Sequence, residues 1–286
     1  MGYLDGRVAV VTGAGRGIGR AHAARFAAEG ASVVVNDVEA EPAAEVCAEI
    51  AAAGGRAVAH VGDVTSWAGG ESVVAAAVEA FGDLHVLVNN AGFLRDRALV
   101  NMTEEEWDDV VRVHVNGHVA PTRFAAAHWR EQAKAGVEVR ASVINTTSTS
   151  GLLGNPGQSN YGAAKAAVAA MTVIFAQELA QYGVRVNAIA PAARTRLTEG
   201  APGIADLVQP PVDGVGFDVW DPDNVAPLAA YLASAGATES GRVYFVQGGT
   251  IRLFEGWRMT ATIERPGRWT VEGLAEAMPA LVPSAG

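Results

Sequence analysis

The chain is short of cysteine, of basic charge and of long apolar runs. Its single cysteine, Cys47, excludes an internal disulfide, and no Cys/His cluster beside it predicts a metal site. Lysine and arginine number 21 against 31 aspartate and glutamate residues, and the formal net charge of −10 argues against a nucleic-acid partner, which normally meets a basic stripe. No stretch approaches the roughly 18 uninterrupted apolar residues of a membrane span.

The two ends of the sequence carry no recognisable targeting signal. Residues 1–10 lack the charged segment and apolar run of a secretory signal, and the last residues are not a peroxisomal tripeptide. We therefore expect a cytoplasmic protein.

Half of the 286 residues are hydrophobic, which is enough for a large core in one α/β domain. Short β-branched runs such as Arg7 to Thr12 and Val33 to Val35 alternate with helix-forming stretches and short turns. This alternation predicts a doubly wound, Rossmann-type parallel sheet of seven strands with helices on both faces. We expect this domain to cover residues 1–250, and residues 251–286 to form an extension that packs on it or on a partner subunit.

A glycine-rich turn follows the first strand and has the pattern T-G-x-x-x-G-x-G from Thr12 to Gly19. A strand, a glycine turn and a helix in this order let backbone N–H groups and the positive helix end face a pyrophosphate, although glycines also serve turns without a ligand. Asp37 follows Gly19 by eighteen residues, close to the spacing of an acid that binds the adenosine ribose. Because its carboxylate would repel a 2′-phosphate, NAD is favoured over NADP.

Tyr161 and Lys165 stand four residues apart at the head of an alanine-rich helix, so they share one helix face. A cation about 4 Å from a phenol is worth about 4 kcal/mol at an effective dielectric of about 20. The pattern thus predicts a lowered tyrosine pKa and acid–base chemistry near neutrality. Ser148, which follows a predicted strand, can hydrogen-bond the same reacting oxygen. The alternative is an ordinary exposed pair, because Y-x-x-x-K spacing is common by accident.

Four motifs occur in a fixed order: the glycine turn, N-N-A-G at residues 89–92, Ser148 thirteen residues before Y-x-x-x-K, and I-A-P at residues 189–191. Over about residues 5 to 250 this resembles the short-chain dehydrogenase/reductase superfamily. The resemblance implies that Tyr161 is the general base in the oxidising direction, that Ser148 polarises the reacting oxygen, and that Lys165 binds the nicotinamide ribose and lowers the tyrosine pKa. The cofactor-binding residues that it implies are Gly13, Gly15, Arg16, Gly17, Ile18, Gly19, Asp37, Asp63, Val64, Asn89, Ala91, Gly92, Tyr161, Lys165, Pro191 and Thr195.

One position departs from the superfamily pattern. Thr103 and Glu106 form a capping box that starts a long helix, in which the superfamily usually has an asparagine in the pattern N-x-x-G. Here His114 takes that place, and Asn116 is displaced by about 200° around the helix. We include His114 among the candidate catalytic residues because an imidazole can take part in a proton relay, with simple packing as the alternative.

The motifs V-H-V-N-G at residues 113–117, V-V-V-N-D at residues 33–37 and N-V-A-P-L at residues 224–228, together with the C-terminal extension, narrow the resemblance. They are similar to the (3R)-hydroxyacyl-CoA dehydrogenase unit of peroxisomal multifunctional enzyme type 2. This implies NAD-dependent oxidation of a 3-hydroxyacyl thioester in lipid metabolism. It also implies a homodimer or homotetramer formed through the two long helices, at about residues 104–134 and 159–182.

Two other functions stay open. A steroid or another hydrophobic alcohol requires the same chemistry with a different lid, and a catalytically silent nucleotide-binding regulator requires only the scaffold. Arg194 and Arg196 either meet a CoA phosphate or solvate the surface. The stretch from Leu197 to Pro222, rich in proline, glycine and aspartate, predicts a lid or binding loop.

Overall fold

The computed structural model describes residues 2–195, 208–211 and 216–281. The chain divides into two units, Met1–Phe254 and Glu255–Gly286. The strands are β1 (Val8–Val11), β2 (Ser32–Asp37), β3 (Arg56–Val61), β4 (Val86–Asn89), β5 (Ala141–Thr146), β6 (Val184–Pro191), β7 (Val243–Gln247) and β8 (Thr250–Phe254). All eight form one sheet in the order β3-β2-β1-β4-β5-β6-β7-β8.

Helices alternate with these strands. They are α1 (Gly17–Ala28), α2 (Ala40–Ala52), α3 (Trp67–Phe81), α4 (Glu104–Val111), α5 (Gly117–Lys134), α6 (Thr149–Leu153), α7 (Ser159–Leu179) and α8 (Ala226–Ala233) in the first unit, and α9 (Val271–Leu281) in the second. Strands β1 to β7 are parallel, which confirms the predicted Rossmann-type fold class.

The sheet has one strand more than the seven predicted. Strand β8 runs antiparallel to β7, with Gln247 opposite Thr250 across a two-residue turn of Gly248 and Gly249. Gly248 has a φ of 51°, the left-handed conformation that glycine adopts without steric cost. The first residues of the predicted extension therefore belong to the sheet, because this turn reverses the chain directly onto the edge of β7.

Two apolar layers enclose the sheet. On one side Phe26 of α1 and Leu232 of α8 are fully buried, and on the other side Trp129 of α5 packs with Val143 of β5. Burying a side chain of this size contributes about 1.5–3 kcal/mol relative to leaving it exposed. Trp129 also donates its indole N–H to the carbonyl oxygen of Leu84 at 2.6 Å, so its polar atom is satisfied. These layers hold the strand ends rigidly in place.

The strand order reverses between β1 and β4, which makes this the topological switch point of the sheet. The loops that follow β1, β2, β4, β5 and β6 leave from one edge because the strands are parallel. Ligands of such sheets bind beyond this edge. The predicted glycine turn, Asp37, the N-N-A-G motif and Ser148 all follow these strands.

The predicted long helix from Glu104 to Lys134 contains a π turn. Helices α4 and α5 are joined by Arg112–Asn116, a π-helical segment that includes His114. The capping box is present at the start: Thr103 Oγ1 accepts from the backbone N–H of Glu106, and the Glu106 carboxylate accepts from the N–H of Thr103. The π turn widens the helix where it passes the site, as such turns frequently do.

One helix among the described residues, Ser159–Tyr182, is long and apolar enough by length and composition to cross a membrane. It contains α7, whose Lys165, Val168 and Thr172 are buried against the sheet. A core helix passes the same test, and 33% of the most apolar stretch of this helix is buried.

Candidate active site

Ser148 and Tyr161 meet at the carboxyl edge of β5. Ser148 follows the end of the strand and caps α6, where its Oγ accepts from the N–H of Ser150 at 3.2 Å. Tyr161 lies in the first turn of α7, and the Ser148 hydroxyl is close enough to its phenol to lower the pKa of the tyrosine. The structure therefore brings together two of the predicted catalytic side chains.

Lys165 lies one turn further along α7 and is buried, with 2% of its surface exposed. Its Nζ donates to the carbonyl oxygen of Thr146 at 2.5 Å and lies 5.6 Å from the centroid of the Tyr161 ring. Burial lowers the pKa of Lys165 to about 7. The lysine therefore lies beside the phenol as predicted, but with a pKa of about 7 it is partly deprotonated at neutral pH.

The predicted lowering of the tyrosine pKa is wrong for this structure. Burial raises the pKa of Tyr161, a hydrogen bond with Ser148 lowers it, and the negative charge of Asp96 raises it. Lys165 does not offset this rise, because its ammonium is itself desolvated and is bound to the Thr146 carbonyl. Tyr161 therefore holds its proton at neutral pH.

His114 lies in the π turn against the tyrosine. Its ring centroid is 5.1 Å from that of Tyr161 in an edge-to-face arrangement, and its Nε2 is 2.8 Å from the carbonyl oxygen of Phe93. Nδ1 has no hydrogen-bond partner among the described residues. Burial, and then the charge of Lys165, lower the pKa of His114 well below its usual value, so the imidazole is neutral. Asn116, two residues on, is exposed.

Gly92 is the residue that allows His114 this position. A Cβ at Gly92 would lie 2.2 Å from His114 Cε1, so the ring packs directly on the backbone of the N-N-A-G motif. The motif and the histidine, more than twenty residues apart in sequence, thus form one packed unit.

His118 completes the buried cluster and was not predicted. It lies one turn after His114, it is fully buried, and neither ring nitrogen has a hydrogen-bond partner among the described residues. Burial, followed by the charges of Lys165 and His114, lowers its pKa well below the usual value. The spacing of four residues from His114 was the available signal.

The glycine turn closes tightly over the end of β1. A Cβ at Gly13 would lie 2.8 Å from the Cα of Ala91, and one at Gly19 would lie 2.2 Å from the carbonyl oxygen of Gly13. Gly13 and Gly17 have φ values of 60° and 54°, which favour glycine. This turn leads into the amino-terminal end of α1, an arrangement that fits a dinucleotide pyrophosphate.

Two further residues of the predicted set lie within the glycine-rich segment. Arg16 is the first residue before α1, and Ile18 packs against the core. Asn90, which was not predicted as a site residue, donates to the carbonyl oxygens of Thr12 at 3.0 Å and Gly13 at 3.1 Å. It fixes the turn to the end of β4.

Asp37 lies at the end of β2 and contacts the turn. Its Oδ2 accepts from the N–H of Gly15 at 3.0 Å, and its Oδ1 accepts from the N–H of Glu39 at 3.1 Å. Arg16 forms a two-pronged ion pair with Glu39, at 2.6 and 3.1 Å. Two carboxylates and one guanidinium thus surround the predicted ribose position.

The remaining predicted cofactor residues take different places. Asp63 caps the turn after β3 by accepting from the N–H of Thr65 at 2.9 Å, and Val64 is buried beside it. Asn89 lies beneath the site: it is fully buried and donates to Thr122 and Asn145. Through these hydrogen bonds Asn89 connects the end of β4 to β5 and α5, so its role in this structure is to support the site.

At the same edge of the sheet, Pro191 ends β6 and Thr195 lies near Gly17. Arg194, a candidate phosphate ligand, forms an ion pair with Asp218 at 2.5 Å and donates to the carbonyl of Val208. Its guanidinium therefore links two later segments of the chain to the residues that follow β6.

Arg196 and most of the predicted lid, residues 196–207 and 212–215, lie outside the described residues. No group of three His, Cys, Asp or Glu side chains suited to a metal occurs in the described part of the chain.

The sequence and the fold of this chain are both similar to those of known dehydrogenases. A family model described as short chain dehydrogenase matches residues 7–201. Hydroxyacyl-CoA dehydrogenase ChsB1 of Mycobacterium tuberculosis is 46% identical over 258 residues, 87% of this chain and 80% of that protein. Peroxisomal multifunctional enzyme type 2 of Mus musculus is 37% identical over 271 residues, which cover 92% of this chain but 34% of that enzyme. A crystal structure of a short chain dehydrogenase from Mycobacterium avium aligns with a TM-score of 0.89 at 46% identity, over 98% of this chain and 95% of that one.

Proposed function

The chain belongs to the short-chain dehydrogenase family of oxidoreductases, and we propose that it interconverts a 3-hydroxyacyl-CoA and a 3-ketoacyl-CoA with NAD as cofactor. The observation that carries the proposal is the meeting of Ser148, Tyr161 and Lys165 at the strand edge that also bears the glycine turn. A purely nucleotide-binding regulator would leave this meeting unexplained. The similarity to a hydroxyacyl-CoA dehydrogenase supports the choice of substrate.

The side chains divide the proton chemistry between them. Ser148 donates a hydrogen bond to the substrate oxygen and orients it against the phenol. Tyr161 exchanges a proton with that oxygen: it gives the proton in ketone reduction and takes it in alcohol oxidation. A bound nicotinamide supplies or accepts the hydride at the same carbon. Lys165 holds the tyrosine ring from the next turn of the same helix, and we assign its ammonium to the cofactor ribose.

We infer a preference for NAD from the charges around the predicted ribose position. Asp37 and Glu39 place two carboxylates there, and the guanidinium beside them, that of Arg16, is already engaged by Glu39. A 2′-phosphate would meet net negative charge, whereas a ribose hydroxyl can donate to Asp37.

Apolar side chains near the site favour a hydrophobic substrate. Leu99 and Val100, which follow the N-N-A-G segment, and Leu153 at the end of α6 are all largely exposed. Exposed apolar residues on the loops of one edge fit an acyl chain, and they fit a steroid equally well. A steroid or another hydrophobic alcohol is therefore the second candidate.

The proposal is tested by initial rates of NAD reduction with (3R)- and (3S)-hydroxyacyl-CoA of several chain lengths, beside a steroid alcohol. We expect turnover of the 3R series and a loss of roughly 100-fold or more in kcat for Tyr161→Phe, because the proton carrier is removed. Tyr3→Phe, which changes an exposed tyrosine, is the matched control. NAD binding without turnover of either acyl series, together with steroid oxidation, refutes the acyl-CoA assignment.

We further propose that the chain acts as a homodimer or homotetramer in the cytoplasm. Helices α5 and α7 border a groove of about 360 Å³ that Val119, Arg123, Phe175 and Tyr182 help to line. Two such helices from each subunit would cover these residues. Residues 251–286 are proposed to extend this or another subunit contact. Sedimentation of the purified chain decides between monomer, dimer and tetramer.

A further inference from the structure

The segment of residues 93–97 crosses the first turn of α7 and is tied to it by hydrogen bonds. Asn160 Nδ2 donates to the carbonyl oxygen of Arg95 at 3.0 Å, and the N–H of Arg97 donates to the carbonyl oxygen of Gly157 at 2.8 Å. The same Asn160 accepts from the N–H of Tyr161 through its Oδ1 at 2.8 Å. The segment is therefore fixed relative to the catalytic tyrosine.

Asp96, in this segment, is held by Gln158. Gln158 Nε2 donates to Asp96 Oδ2 at 2.8 Å. The amide of Gln158 is itself oriented, since its Oε1 accepts from Ser150 Oγ at 2.7 Å and from Asn155 Nδ2 at 2.9 Å. Gln158 immediately precedes α7, so this chain of hydrogen bonds places a carboxylate at the start of the helix that carries Tyr161.

The charge of Asp96 is not cancelled by the two arginines beside it in sequence. Arg97 pairs with Glu106 at 2.9 Å, and the guanidinium of Arg95 lies 4.7 Å above the Phe93 ring. In the part of the chain that the structure describes, Asp96 has no ion-pair partner. Asp96 is exposed, and its negative charge raises the pKa of Tyr161 by less than burial does.

The other titratable groups that face the phenol are Lys165, from the same helix, and His114, from the π turn. Burial lowers the pKa of Lys165 to about 7 and keeps His114 neutral. The described side chains around the phenol thus carry little positive charge to balance Asp96. A second anion placed there meets the repulsion of Asp96 with little attraction from these side chains.

We propose that Asp96 is a selectivity residue, whose carboxylate disfavours a negative charge at the reacting end of the site and so favours a neutral 3-hydroxyacyl thioester or ester over the free 3-hydroxy acid. The inference rests on the proposed function. In the free acid a carboxylate lies one methylene away from the carbon that loses hydride, whereas the thioester is uncharged at that point. Specificity of this kind comes from repelling the wrong ligand.

The test compares ethyl 3-hydroxybutyrate with free 3-hydroxybutyrate in the intact chain and in Asp96→Asn. The asparagine Oδ1 can still accept from Gln158, so the charge is removed while the hydrogen bond stays. We expect the ratio of kcat/KM for ester to that for acid to fall by roughly three- to tenfold at low ionic strength, because the repulsion of the acid is lost. The change should shrink in about 1 M salt, which screens exposed charges.

A second readout is the pH profile of kcat/KM for oxidation of the ester. Removal of the Asp96 charge lowers the pKa of Tyr161, so the rise in rate should move to lower pH in Asp96→Asn. Glu105→Gln is the matched control, because it removes an exposed carboxylate from the first turn of α4 and leaves the ion pair between Arg97 and Glu106 intact. An unchanged ester-to-acid ratio with an unmoved profile overturns the proposal, as does an equal effect in Glu105→Gln.

The outcome is separable from that of the proposed function. The ester pair contains no CoA, so a protein that oxidises the ester but no acyl-CoA refutes the acyl-CoA assignment and still tests Asp96. Oxidation of acyl-CoA with no discrimination by Asp96 refutes only the selectivity inference.

Discussion

Burial sets the chemistry of the two central side chains. Lys165 loses hydration and its pKa falls to about 7, while the same loss of hydration raises the pKa of Tyr161. At neutral pH the phenol is therefore protonated and suited to donate to a ketone oxygen. Alcohol oxidation requires the tyrosinate, so its rate should increase toward alkaline pH.

The ion pair between Arg16 and Glu39 provides a residue-scale test of cofactor choice. Glu39→Gln releases the guanidinium from the ion pair beside the ribose position, so we expect NADP to bind roughly three- to tenfold more tightly, with NAD affinity changed less than about twofold. The measurement is calorimetric titration with both cofactors at low salt. Asp37 is left in place, so NAD keeps its ribose partner.

Glu49→Gln is the control for this experiment. Glu49 pairs with Arg20 at 2.7 Å between the same two helices, α1 and α2, but one turn away from the glycine turn. Equal gains in NADP affinity for the two variants would show that only the net charge matters, and would contradict a specific role for Arg16.

Sequence spacing identified the side chains that lie on one element or at one strand end. Tyr161 and Lys165 share a helix, and Ser148 follows the neighbouring strand, so their meeting follows from the alternating pattern. Asp96 was not predicted as a site residue, because its hydrogen bond with Gln158 joins two loops that are 62 positions apart in the sequence. The direction of the tyrosine pKa was also missed, since burial cannot be read from a local motif.

At the scale of elements, the close approach of α6 to α7 positions Ser148 against Tyr161. A Cβ at Gly151 would lie 2.5 Å from the backbone nitrogen of Ala166 and 2.6 Å from the carbonyl carbon of Lys165. Gly151→Ala therefore forces α6 away from α7. We expect kcat/KM to fall by about tenfold, since small displacements of reacting groups reduce rate strongly, with a smaller effect on NAD affinity.

Gly236→Ala is the matched control, because nothing lies within 4 Å of its added Cβ. Rates and NAD affinity measured on both variants separate a local displacement from a general effect of losing glycine. Full activity in Gly151→Ala would mean that α6 accommodates the methyl group without moving Ser148.

The sequence predicted where helix α4 begins, but it did not predict the irregular turn between α4 and α5. Thr103 and Glu106 form the predicted capping box because its partners are local. The π turn at residues 112–116 has no such signal, since the apolar pattern continues through it. Strand β8 was likewise missed as a member of the sheet, because a short strand-like pattern does not show whether it pairs.

At the scale of the whole molecule, the alternation of strands and helices predicted the parallel sheet and the edge where the site lies. The order of the strands depends on pairings between distant segments, and that information comes from the structure and from the family resemblance. The predicted lid lies mostly outside the described residues, so its role as a binding loop stays a prediction.

Three fully enclosed histidines give the whole fold a defined sensitivity to acid. They are His22, His114 and His118, and burial is the first cause that lowers the pKa of each. Above a pH of about 6.5 a histidine is neutral in both the folded and the unfolded chain. As the pH falls below this value the unfolded chain binds protons first, so the free energy of unfolding decreases until the folded pKa is reached.

His22 provides the test, because its pKa is lowered to about 4 and it lies in α1, packed against Phe26 and outside the catalytic cluster. Between a pH of about 6.5 and 4 it should remove roughly 3 kcal/mol from the free energy of unfolding. His22→Leu replaces the imidazole with an apolar group that does not titrate, so its stability should decline less steeply over this range. Urea unfolding at several pH values compares the two chains, and parallel curves would mean that His22 reaches water, or finds a partner, on protonation without unfolding.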